Sequence, residues 1–237
     1  MRLWRQTWLL TRSDLRQELR DRELVLVAGL FSLLLVAMFA ISFTALPAGN
    51  NHRVVLPGLL WMSVAFVGVL TLTRIFDRER EADTLRALLA APVDRLAIYL
   101  SKAAVTLIIL LTSCALLVPG LALLFPELRM IVEQPAAAGL MLVLGSLGFT
   151  AVGAVFAAGL ATGSGKNVLI SVILYPLTTP VLMFDIVATR ALLERHPDVW
   201  GYVGRLAALD AILLAVGALL FESIVVGVGR TAERRAS

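Results

Sequence analysis

Thiols and imidazoles are scarce in this 237-residue chain, with one cysteine and two histidines. Cys114 lies inside an apolar run, so an internal disulfide is excluded and no cysteine cluster can hold a metal. Charge is scarce as well: 16% of residues are Asp, Glu, Lys or Arg, where a soluble domain carries about 25%. No polar stretch is long enough to form a soluble domain, and no internal repeat or low-complexity segment stands out. No hydrolytic triad, metal-ligand spacing or nucleophile–base pair is present, which argues against an enzyme with its own active site. What fills the chain instead is apolar: 59% of residues are hydrophobic and the mean hydropathy is +0.88. That is the balance of an all-α integral membrane protein. The net charge of +4 does not point to nucleic acid, because the basic residues flank hydrophobic segments rather than gathering in one patch. Membrane lipids with anionic headgroups are the expected counterpart.

Six apolar segments, at about 24–46, 54–75, 96–124, 136–160, 168–188 and 206–228, each reach the length of a span. Crossing about 30 Å of hydrocarbon takes about 20 residues, and in lipid such segments must be helical so that every amide finds an internal partner. The whole chain, 1–237, reads as one membrane domain. The third segment exceeds the required length and carries Pro119, which allows a tilt or kink. Connections 47–53, 125–135 and 161–167 are short, and 189–205 has room for a small helix of its own. Ahead of the first span, residues 1–23 place Trp4, Trp8, Leu15 and Leu19 on one helical stripe, with Arg5, Arg12, Arg16 and Arg20 beside it. This predicts an amphipathic interfacial helix, with a basic disordered arm as the alternative. The first apolar run is long enough to span, which separates it from a cleaved signal peptide.

Lys and Arg are distributed unevenly between the two sets of flanks, fifteen against four. The basic set contains residues 1–23, 73–97, 161–167 and the tail from Gly229. The positive-inside rule therefore places both termini and the stretch between spans two and three in the cytoplasm.

That stretch, Arg74 to Arg95, holds the densest charge in the chain. Within it Leu85, Leu88 and Leu89 share one helical face, with Arg86 away from it. Pro92 forbids the helix from continuing, and Asp94 is placed to cap the next one. The expected product is a short amphipathic cytoplasmic helix in a loop over 76–95, tied to a span at each end. A membrane protein that takes force from a soluble partner needs such an element.

Gly163-Ser164-Gly165-Lys166 resembles the end of a phosphate-binding loop, but Leu160 and Asn167 stand where glycine and Ser or Thr are required. It reads as a tight turn, so any ATP used must be hydrolysed by a partner. Asp185, Asp210 and Glu222 lie in or near the spans. Acids there are costly and often functional, although partial hydration or a bond to a neighbouring helix is the plainer reading. Arg205 is close enough in sequence to Asp210 for a local ion pair, but poorly faced. His52 and His196 both fall on the outer side of this topology and, with Trp61, are candidate haem or outer-face contacts. Solvated loop residues are the competing reading for the two histidines.

The 74–95 stretch resembles the cytoplasmic loop of ABC-2-type permeases, which tends to read Glu-x-x-x-Gly-Thr-Leu, then Leu-Leu-x-x-Pro. Here Glu79 or Glu81, Asp83-Thr84-Leu85, Leu88-Leu89 and Pro92 stand in those places, with Asp83 where glycine is common. More narrowly, the chain from about residue 10 to 228 is similar to the CcmB family. The resemblance is carried by Asp14-Leu15-Arg16-Gln17-Glu18-Leu19-Arg20, Pro57-Gly58-Leu59-Leu60-Trp61 and Phe76-Asp77-Arg78-Glu79. Tyr175-Pro176-Leu177, Pro180-Val181-Leu182 and Phe221-Glu222 extend it to the end.

The resemblance implies a non-catalytic permease subunit of an ABC transporter in the bacterial inner membrane, serving haem export or delivery in c-type cytochrome biogenesis. It implies a CcmA-like ATPase dimer, CcmC-like and CcmD-like membrane subunits and a CcmE-like haem carrier as partners. Haem is then the candidate cargo and ATP acts through the partner. Asp77, Arg78, Glu79, Glu81, Asp83, Thr84, Leu85, Leu88, Pro92 and Asp94 would match the coupling helix and its flanks. An ABC-2 permease for lipid, polysaccharide or drug, and a non-transporting scaffold that recruits an ATPase, are the rival readings. A proton-coupled carrier built on the three acids leaves the 74–95 stretch unexplained.

Overall fold

A computed structural model of the chain describes residues 2–21, 23–44, 54–81, 91–161 and 168–236. Side chains are described for most of these, but not at 76–81, 156–161, 168–177 or 222–236, nor at a few other helix-end positions. Every long element is helical: α1 (Arg2–Asp21), α2 (Glu23–Thr44), α3 (Leu56–Glu81) and α4 (Arg95–Leu124), followed by a 3-10 turn at Pro126–Arg129. Then come the single turn α5 (Met130–Glu133), α6 (Pro135–Ala161), α7 (Val168–Leu193) and α8 (Val199–Ala236).

Among the described residues, four stretches are long and apolar enough to cross a membrane: Leu56–Ile75, Arg95–Leu124, Pro135–Val155 and Val199–Phe221. The expected first and fifth spans fall on α2 and α7. In α2 the apolar stretch among the described side chains is Leu26–Ser42. The protein is a multi-pass, all-helical membrane protein.

Close approaches at glycines fix the relative directions of the helices. Gly68 lies under the Phe149 ring and Gly153 under Leu72, so α3 and α6 run the same way. Gly148 faces Asp210, and Gly217 lies 3.3 Å from Val155 when given a Cβ, so α8 runs parallel to α6. Between α6 and α7 the order reverses: Gly145 meets Asp185 while Gly148 meets Val181. Helix α4 opposes α6, since its end joins the start of α6 while Tyr99, near its own start, donates 3.0 Å to the Ala151 carbonyl. Gly29 against Leu116 and Gly120 against Val36 set α2 parallel to α4. This is the alternation that successive crossings produce. The core runs through its middle, with Trp61, Leu72, Tyr99, Leu110, Leu117, Phe149 and Phe221 nearly inaccessible.

Two sequence expectations are corrected. The 189–205 connection holds no helix of its own; α7 runs on to Leu193 and α8 already begins at Val199. The stop after α7 is a Schellman motif: His196 N–H donates to the Ala191 carbonyl and Arg195 N–H to that of Leu192. Arg195 itself takes φ 55°, the left-handed position usually given to glycine.

Helix α1 is also more than a lipid-facing element. Trp4 and Trp8 are exposed, yet Thr11 and Glu18 on the same stripe are buried and Leu15 packs on the core. The covering surface is α4. Gln6 Oε1 accepts from the Asp94 amide at 3.3 Å, and Lys102 Nζ donates to Asp14 Oδ2 at 2.6 Å. Both contacts join residues 88 apart in sequence, so α1 lies alongside the first turns of α4 and points the same way.

Candidate functional site

The most polar place in the apolar interior lies where α3, α6, α7 and α8 meet. Trp61 of α3 is fully buried, and its indole N–H donates to Thr189 Oγ1 of α7 at 2.8 Å. One turn before Thr189 on the same helix, Asp185 is also inaccessible. Indole and carboxylate converge on Gly145, where a Cβ would overlap the indole and fall 2.6 Å from Asp185 Oδ1. At Gly148, one turn on, a Cβ would fall 2.5 Å from Asp210 Oδ1 of α8. The two glycines thus clear one face of α6 for an aromatic ring and two carboxylates. None of the four carboxylate oxygens has a hydrogen-bond partner among the described residues. Arg205 does not serve Asp210: it bridges Asp198 at 3.1 Å and lies 4.9 Å over the Tyr202 ring.

A second polar cluster caps the end of the bundle formed by 125–134 and 194–198. Arg195 Nη2 bridges Glu133 at 2.8 Å, joining the two connections. A shallow recess of about 490 Å³ there is lined by Gln134, Pro135, Arg195, His196 and Trp200 among others. His196 is exposed, stacks edge-on to Tyr202 at 5.6 Å and accepts the Asp198 amide proton on Nδ1 at 3.1 Å. In the neutral ring that bond places the remaining proton on Nε2, so the imidazole presents a donor to the recess.

The opposite end carries the segment between α3 and α4. Asp77, Arg78, Glu79 and Glu81 continue α3 as helix, so the first part of the charged stretch prolongs a span rather than starting a loop. Their side chains, and that of Glu222 in α8, lie outside the described residues, as do Asp83, Thr84, Leu85, Leu88 and His52 altogether. At the far side Pro92 is exposed, and Asp94 caps α4 by accepting from Leu96 N–H at 3.0 Å. Gln6 of α1 holds the Asp94 amide. The segment is therefore bordered by three helices: α3 before it, α4 after it and α1 beside it.

A family model described as "CcmB protein" matches residues 5–225. The chain belongs to the CcmB family. It is also similar to a curated relative, "Heme exporter protein B" of Bradyrhizobium diazoefficiens, at 27% identity over 208 residues. That alignment covers 88% of this chain and 91% of the relative.

Within this CcmB-family chain the structure brings Trp61, which the sequence offers as an outer-face candidate, together with Asp185 and Asp210, which it groups as intramembrane acids. It keeps His196 apart from them at the bundle end. The Lys102–Asp14 pair is a further polar feature, and neither partner stands out in sequence. Lys102 looks like a borderline flanking charge, while Asp14 is one of several charges before the first span. The only signal available is the equal spacing of Gln6 to Asp14 and Asp94 to Lys102.

Proposed function

We propose that this chain is the membrane subunit of an ABC-type exporter serving haem delivery for c-type cytochrome biogenesis. The observation that carries this is the family match over residues 5–225, supported by the name of the 27%-identical relative, a haem exporter protein. In this reading the chain crosses the bacterial inner membrane six times with both termini in the cytoplasm. A CcmA-like ATPase dimer seats the segment from Asp77 to Asp94, and Leu85 and Leu88 supply its apolar contact. CcmC-like and CcmD-like subunits and a CcmE-like carrier complete the assembly.

Closure of the ATPase on ATP would displace the 82–94 segment, and α3 and α4 would carry that displacement into the bundle. Helix α4 would not move alone, because the buried Lys102–Asp14 contact and the Gln6 bond tie α1 to it. Helix α3 would transmit to Trp61 and hence, through Thr189, to α7. Rigid helices anchored at both ends suit this work, since packed elements shift between discrete arrangements rather than deform.

Copurification with the candidate ATPase in mild detergent tests the reading, comparing the native chain with Leu85→Asp. An acid on the apolar face of a docking helix removes buried contact and adds an unpaired charge. The native chain is expected to bring the ATPase with it, while the variant inserts normally and comes out alone. A native chain that never retains the ATPase sinks the proposal.

A further inference from the structure

The acids between α6, α7 and α8 have no role in this coupling scheme, and their surroundings point to a ligand. Asp185 is 0% and Asp210 2% exposed, so neither carboxylate is hydrated from outside. All four oxygens are unpartnered among the described residues. Around the same two glycines of α6, beside the carboxylates, lie Trp61 from α3 and Val181 from α7. None of these carries charge, and the Trp61 N–H is committed to Thr189. The nearby Arg190, Arg195 and Arg205 form ion pairs with Glu194, Glu133 and Asp198 respectively. Among the described groups around those glycines, the two carboxylates are the only titratable ones.

Buried carboxylates without a counter-charge cost several kcal/mol each, and protein interiors offset that cost with a cation. Both lie against the same bare face of α6, one helical turn apart, where the absence of a Cβ at 145 and 148 leaves room for their oxygens. With Asp185 and Asp210 at 0% and 2% exposure, little room is left beside them and the occupant must be small.

We propose that Asp185 and Asp210 together form an internal site for one small cation, a sodium ion or a proton, held where α6, α7 and α8 meet. A cation there bridges charges on α7 and α8 across the glycine face of α6. Its uptake and release therefore alter how firmly those helices pack. The site depends neither on the cargo nor on the ATPase, so it can be tested on the full chain alone in lipid nanodiscs.

Dicyclohexylcarbodiimide, an apolar reagent that attacks protonated carboxyl groups, supplies the test on the native chain, read by peptide mass spectrometry. Modification is expected at Asp185 or Asp210. If the occupant is a proton, labelling falls about tenfold for each pH unit above the site's midpoint and ignores sodium. If sodium binds, adding it in place of choline at fixed pH suppresses labelling several-fold. Labelling that responds to neither pH nor sodium overturns the proposal, and if burial keeps the reagent from both residues the thermal midpoint decides. Thermal unfolding of native protein and Asp185→Asn/Asp210→Asn gives a second readout. The native midpoint should shift with the effective cation and the variant's should not; equal shifts in both proteins overturn the site. The labelling experiment needs no variant, so a misfolded double replacement leaves the test intact.

Discussion

A single methyl group decides much at residue 145. The space a Cβ would need is taken by the Trp61 indole and an Asp185 oxygen. The indole cannot retreat without breaking its 2.8 Å bond to Thr189. Gly145→Ala is therefore expected to destabilise the protein by about 1–3 kcal/mol, the usual cost of overpacking, read as a lower thermal midpoint in detergent. Gly139, on the same helix, meets nothing within 4 Å. There alanine should stabilise by about 0.5–1 kcal/mol through helix propensity alone. Equal effects at the two positions would mean that α6 does not pack against α3 and α7 as described. Sequence marks both positions only as glycine; which one is a contact and which is idle depends on what faces it.

Among the elements, the stop between α7 and α8 shows where sequence reading fails and why. A Schellman end is recognised by glycine at the left-handed position, and here that position is Arg195. The cue is missing, so the connection reads as a long loop over 189–205 although two helices extend into it. Arg195→Gly should raise stability by up to about 1 kcal/mol, since a left-handed non-glycine residue costs about 1–2 kcal/mol. The exposed Glu133 bridge, which the replacement removes, contributes less than about 1 kcal/mol. A lowered thermal midpoint for this variant would mean that the bridge between the connections matters more than the backbone. Helix α1 shows a different failure. Its amphipathic stripe is legible, but burial of Thr11, Leu15 and Glu18 follows from the register with α4. No periodicity within α1 encodes that register. The long apolar runs, by contrast, are plain in sequence, because a bilayer imposes both length and composition on whatever crosses it.

For the whole molecule, glycine approaches and the Tyr99 bond to Ala151 set the directions of α2 to α4 and α6 to α8, and those directions alternate along the chain. The 125–134 and 194–198 connections therefore share one end of the bundle, joined by Arg195 and Glu133. The start of α4 and its contacts with α1 lie at the other. If fifteen basic flanking residues against four orient the chain as expected, His196→Cys should react with an impermeant thiol reagent in intact cells. Ser237→Cys should react only after permeabilisation. The native thiol does not interfere, as Cys114 is 4% exposed; the reverse pattern would invert the topology. The alignment of α1 on α4 bears also on how the chain is made. Lys102 sits near the start of an apolar segment that must enter the bilayer. An unaccompanied lysine there opposes insertion, by less than its cost of about 2.5–3.5 kcal/mol at a helix centre. Its carboxylate partner is 88 residues earlier in the chain, so during synthesis Asp14 has left the ribosome well before Lys102. The counter-charge is therefore made before α4 arrives, and α1 is expected to assist the insertion of a segment translated long after it.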